Sequence, residues 1–168
     1  ALSEVRNSFL FKTPLDITFT THDPEKRFAE ALCEQRNADK ITAWIKSANK
    51  SFYTIPYSVD SGDGRFATQQ GFNPDFFIKI DRDGTTYIVC VEIKADADIS
   101  EENKAKLKYA KEHFIELNEQ LLERHIAQRY LFHFVSPCDF QTFFDYLQDD
   151  RLVAGNFRGQ LEALLSTK

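Results

Sequence analysis

Two apolar runs dominate the middle of the chain, DFFIKI (75–80) and TYIVCVEI (86–93), separated by Asp81-Arg82-Asp83-Gly84. Both runs are rich in β-branched and aromatic residues, and an Asp-Gly pair between them favours a tight hairpin turn. Before them, THDPEKRFAEALCEQR (21–36) places Phe28, Ala29 and Leu32 on one helical face, with Asp23 as the expected N-cap and Pro24 at the first helical position. Ile41, Trp44 and Ile45 have the spacing of a second short helix over Ala38 to Ser47. LDITFTT (15–21) reads as a short entry strand or extended arm, KSFYTIPYSV (50–59) as a strand with Pro56 favouring an edge or its end, and VDSGDGRFATQQG (59–71) as a loop.

After the hairpin, Leu107, Ala110, Phe114, Leu117 and Leu121 recur along one face of a long helix capped by Ser100. RYLFHFV (129–135) is a buried strand, and DFQTFFDYLQ and NFRGQLEALL are two closing helices. The order is helix, three strands, helix, strand. The hairpin is antiparallel, and the long helix lets the last strand return in another direction. The expected fold class is therefore α/β (α+β), a mixed sheet flanked by helices with additional C-terminal helices.

At 168 residues, 42% of them hydrophobic with sixteen Phe, the chain suits one domain over residues 1–168 with a core of its own. It begins with Ala and contains no Met, which we read as a piece of a longer polypeptide. The longest apolar run falls well short of the roughly 20 residues of a membrane span, so no membrane partner is expected. Three separated cysteines suggest neither a disulfide framework nor a zinc set, and a cytoplasmic setting is expected. The net charge of −5 lacks the basic surface of a free-standing DNA binder, so any nucleic-acid role needs a local site or help from a partner.

Charge also picks out one end of the hairpin. Asp75 opens its first strand, while Glu92 and Lys94 close the second and point the same way. A turn centred on Asp83 and Gly84 brings Asp75 and Glu92 roughly opposite one another. Opposed like charges are unfavourable and need a cation, a proton or solvent. Glu25 shares the helical face of Phe28, Ala29 and Leu32, whereas Glu30 and Glu34 point away. Asn103 and Lys104 are expected to face inward at the start of the long helix, a place that favours anions. The alternative is plain: strand ends in water, with Lys94 paired to one of the acids.

These residues carry a resemblance. Asn-Pro-Asp, a hairpin and Glu92-Ile93-Lys94 resemble the PD-(D/E)XK nuclease motif, and the αβββαβ order is similar to that superfamily's restriction-endonuclease-like core. More narrowly, DPEKRFAEAL, ITAWIKSANKSFYTIPYS, FNPDFFIKI and YIVCVEIKAD resemble the C-terminal endonuclease domain of type III restriction enzymes and related helicase–nuclease proteins. The likeness is good over roughly residues 21–96 and loose from about 129 to 165. It implies a single nuclease domain from a longer restriction or helicase–nuclease polypeptide, with DNA as substrate and a linked helicase, translocase or methyltransferase subunit as partner.

The resemblance further implies that Asp75, Glu92, the Ile93 carbonyl and Glu25 hold Mg²⁺ (or Mn²⁺), an ion that prefers such hard oxygens. Lys94 would orient or help deprotonate a water, or neutralise charge on the phosphate. A noncatalytic domain of the same fold, binding nucleic acid or a protein, is the competing expectation. Lys104 is a weaker candidate for phosphate contact, and Gln69 and Gln70 read as solvated loop amides. His22, His113, His125 and His133 form no HxH or HxxxH pair, and Ser61-Gly62-Asp63-Gly64 fits an ordinary turn rather than a phosphate loop. Trp44, Lys46 and Tyr57 also fit the pattern of the resembled family, although Trp44 reads as core.

Overall fold

A computed structural model describes residues 2–6, 12–48, 52–59 and 68–166. In chain order the elements are β1 (Ser3–Arg6), β2 (Ile17–Thr20), α1 (Asp23–Leu32), α2 (Gln35–Ala38), β3 (Ala43–Lys46), β4 (Ile55–Val59), β5 (Thr68–Phe72), β6 (Phe76–Arg82), β7 (Thr85–Ile93), α3 (Glu101–Glu123), β8 (Gln128–Val135), α4 (Phe140–Gln148) and α5 (Gln160–Leu165). Two short 3-10 turns, Pro137–Asp139 and Leu152–Ala154, flank α4.

A four-stranded mixed sheet in the order β3-β6-β7-β8 organises the chain. The first two pairings are antiparallel and β7–β8 is parallel, with α3 as the crossover. β6 and β7 form the expected hairpin. Asp83 and Gly84 take positive φ of 49° and 76°, the conformation a two-residue turn of this kind requires. Side chains alternate between two cores. Phe76, Ile78, Val89, Val91 and Ile93 pack with α1 and α4 on one face. Phe77, Cys90, Phe132 and Phe134 pack with α3, α5 and the separate β4–β5 hairpin on the other. Phe28 of α1, fully buried, meets the rings of Phe76, Phe140, Phe143 and Phe144, which fixes α1 against the sheet.

The expected helix over Ala38 to Ser47 is not formed. α2 ends at Ala38, and Ala43–Lys46 is the edge strand β3, pairing with β6 from Ala43↔Lys79 to Lys46↔Phe76. Ile41 and Trp44 are buried as expected, but a strand satisfies that requirement as well as a helix does, and pairing with β6 decides the outcome. The strand expected over 50–59 is β4, which leaves the main sheet to pair with β5. Pro56 sits in this two-stranded ribbon, where its missing N–H disturbs no central ladder. β5 replaces the C-terminal part of the expected loop, whose residues 60–67 lie outside the described ones. The N-cap of α1 is His22 rather than Asp23. α3 begins after Ser100, whose Oγ accepts the Asn103 N–H at 3.3 Å. α5 is shorter than NFRGQLEALL, starting only at Gln160. Among the described residues no helix is long and apolar enough to cross a membrane.

Candidate functional site

The β6–β7 register, ending at Phe76↔Val91, brings Asp75 and Glu92 opposite one another one step further on. Here the strands run out into a polar cleft of about 400 Å³. It is lined by Glu25 of α1, Ser47 after β3, Gly71 at the end of β5, and Asp75, Glu92, Ile93 and Lys94. An adjoining hollow shares His22, Glu25, Ile93 and Lys94 and extends to Asp98. The four side chains singled out in the sequence, together with Ile93, therefore border one space.

Each is held differently. Glu92 is only 5% exposed. Its Oε1 lies 2.9 Å from Lys94 Nζ, while its Oε2 is buried and has no hydrogen-bond partner. Such an orphaned oxygen is costly unless something else reaches it. Asp75 accepts the Ile93 N–H through Oδ2 at 2.7 Å, and its carbonyl accepts the Ser47 N–H at 2.8 Å. Glu25, 7% exposed, reaches Lys46 Nζ with its Oε2 at 3.1 Å and weakly accepts the Thr21 N–H at 3.4 Å. Glu30 is exposed and pairs with Lys26 at 3.8 Å, on the outer face of α1 as expected.

The electrostatics follow from this crowding. Burial and the neighbouring Glu92 push the Asp75 carboxyl up to about 7, against the Ile93 hydrogen bond and the Lys46 charge, which act downward. Burial also raises Glu92, and Glu25 adds to this, while Lys94 and Lys106 oppose it. Burial pulls the Lys94 ammonium down, but the Glu92 carboxylate outweighs it and the net shift is upward.

Two further lysines border this arrangement, the first already marked in the sequence by the resemblance and the second missed there. Lys46 of β3 is one. The other is Lys106 of α3, whose Nζ lies 2.7 Å from Glu102 Oε1 and 5.3 Å from the centre of the Tyr57 ring. The Tyr57 hydroxyl sits 2.9 Å from the same Glu102 oxygen and 2.8 Å from Gln70 Oε1, so these bonds join α3 to the β4–β5 ribbon. Lys104, by contrast, turns to Glu101 at the surface and does not line the cleft, whereas Asn103 is buried as expected and bonds the Asp98 carbonyl. Gln69 and Gln70 are exposed strand residues rather than loop amides. His133 is a buried strand residue facing Glu162 at 3.3 Å, and Trp44 is core.

Among the described residues, no three His, Cys, Asp or Glu side chains are gathered closely enough to hold an ion by themselves. Lys46 and Lys94 stand with two of the three carboxylates. The cleft is nonetheless bordered by the carboxylates of Glu25, Asp75 and Glu92, hard oxygen donors of the kind a divalent ion prefers, and one of these oxygens is buried without a partner. No family model matches the chain, and neither a curated protein nor a solved structure matches it.

Proposed function

We propose that this chain is a metal-dependent endonuclease domain that hydrolyses DNA phosphodiester bonds. In this reading it is the PD-(D/E)XK cleavage module of a restriction enzyme with a linked helicase or translocase. The observation that carries the reading is the convergence of Asp75, Glu92 and Lys94 with Glu25 on one polar cleft, with Glu92 Oε2 left unpartnered inside it.

Asp75, Glu92, the Ile93 carbonyl and Glu25 are the oxygens that would hold Mg²⁺ or Mn²⁺. The ion, when bound, stabilises charge on the scissile phosphate and makes a water more nucleophilic. The Ile93 N–H fixes one Asp75 oxygen and so limits the rotation of that carboxylate. Lys94 keeps its proton through the Glu92 pairing, which favours donation to a phosphate oxygen over abstraction of a proton from water. Buried Glu25 reaches the same space from α1, in a position to orient a water. The net charge of −5 supports a linked partner as the source of most DNA affinity.

A noncatalytic domain is the second reading, favoured by the closed Lys46–Glu25 and Lys94–Glu92 pairs. Metal-dependent DNA cleavage that Asp75→Asn removes separates the two.

A further inference from the structure

We propose that Lys46 is a metal-displaced cation of this site: it pairs with Glu25 and passes to the substrate phosphate when a divalent ion takes Glu25. This rests on the nuclease reading and assigns the cleft a second working lysine.

Lys46 closes β3, the edge strand beside β6, and shares a strand face with the buried Trp44. That alternation aims its stem toward α1. Its Nζ lies 3.1 Å from Glu25 Oε2, and both side chains are only 10% exposed. The ammonium also donates to its neighbour's carbonyl, Ser47 O, at 3.3 Å, and lies 5.7 Å from the centre of the Phe76 ring. The next residue, Ser47, lines the cleft, and its N–H is bonded to the Asp75 carbonyl. Lys46 is thus paired with the helix-side acid and stands one residue from the backbone bond that holds the first hairpin acid in place.

A buried ion pair is a poor device for stability alone, because desolvating both charges offsets much of their attraction. Its value here is exchange. With the carboxylates of Glu25, Asp75 and Glu92 ionised, the two ammoniums of Lys46 and Lys94 leave one net negative charge. A divalent ion turns that into one net positive charge. It also competes with Lys46 for Glu25, and a freed ammonium in so enclosed a place needs another anion. A phosphate diester entering the cleft supplies one. Metal and DNA binding are then linked, each favouring the other.

The test uses the whole chain and Mn²⁺ alone as first probe, followed by calorimetry on wild type, Lys46→Gln, Lys46→Arg and Asp75→Asn. Removing the competing cation should tighten Mn²⁺ binding on the order of tenfold in Lys46→Gln, leave Lys46→Arg near wild type, and weaken it in Asp75→Asn. DNA cleavage should move the opposite way, falling on the order of a hundredfold in Lys46→Gln, with partial recovery in Lys46→Arg. A second measurement needs no variant: reductive methylation of Lys46 in the wild type should accelerate when Mg²⁺ is added. Unchanged or weaker Mn²⁺ binding by a folded Lys46→Gln, or methylation indifferent to Mg²⁺, would overturn the exchange role while leaving the Asp75-dependent site intact. Absence of any Mn²⁺ binding by the wild type would overturn the nuclease reading and this proposal together.

Discussion

The Asp75 carboxylate accepts the Ile93 backbone N–H at 2.7 Å, so the residue just before β6 is tied to the last residue of β7. That bond holds Asp75 beside Glu92 despite their like charge. Two acids kept together this way act as a cation site or share protons, and each alternative leaves a distinct trace.

The first trace is in the pH dependence of stability. Asp75 rises from an ordinary 3.8 to about 7 in the folded chain, and Glu92 is raised as well. A raised carboxyl binds its proton more tightly when folded, so its ionisation costs stability. That cost is absent below about 3.8 and complete above about 7. In chelator, wild type should therefore lose melting temperature relative to Asp75→Asn as pH climbs from 4 to 8. A constant difference between the two melting curves across that range contradicts the crowding described here.

Metal should reverse the trend. An ion bound only to the folded state stabilises it by about 2.7 kcal/mol at a hundredfold excess over its dissociation constant. At pH 8, Mg²⁺ or Mn²⁺ should raise the melting temperature of wild type and leave Asp75→Asn nearly unmoved. A purely structural Lys94–Glu92 pair predicts no metal response and a plainly destabilised Glu92→Gln in chelator.

Glu25 and Glu30 provide an internal comparison on one helix. Glu25 lines the cleft and is 7% exposed, whereas Glu30 faces solvent beside Lys26. Glu25→Gln should slow DNA cleavage about a hundredfold, and Glu30→Gln should leave it unchanged. Equal rates in steady-state assays would remove Glu25 from the site.

Asp139 supplies a control that touches stability only. Its Oδ1 accepts the Gln160 N–H at 2.8 Å and so caps α5, whose own N-cap, Gly159, has no side chain for the task. Asp139→Ala should cost about 1–2 kcal/mol in denaturant unfolding and leave the melting response to Mg²⁺ intact. Loss of that response would show that α5 and the cleft are coupled.

The sequence showed the hairpin and the phase of α1 because both rest on local rules: an Asp-Gly turn sets the register, and a 3.6-residue repeat sets the face. Residues 38–47 were ambiguous for a physical reason. Ile41, Trp44 and Ile45 satisfy a helical spacing, yet Trp44 and Ile45 also point to opposite faces of a strand, and only pairing with β6 selects the latter. A helical reading of these residues hides the strand alternation that sets Lys46 beside Glu25. β5 was hidden because TQQGF is polar and finds its partner across a long connection. Lys106 sits on the flank of the α3 stripe, one position before Leu107, where periodicity alone does not separate a largely buried lysine acting on Glu92 from a solvated one.

The most direct measurement is DNA cleavage by the purified chain with Mg²⁺ or Mn²⁺, with and without chelator, for wild type, Asp75→Asn, Glu92→Gln and Lys94→Ala. The account predicts metal-dependent phosphodiester hydrolysis by wild type, abolished by chelator and reduced on the order of a hundredfold or more in each folded variant. Cleavage that persists undiminished in Asp75→Asn and Glu92→Gln, or no cleavage by wild type in either metal, would contradict it.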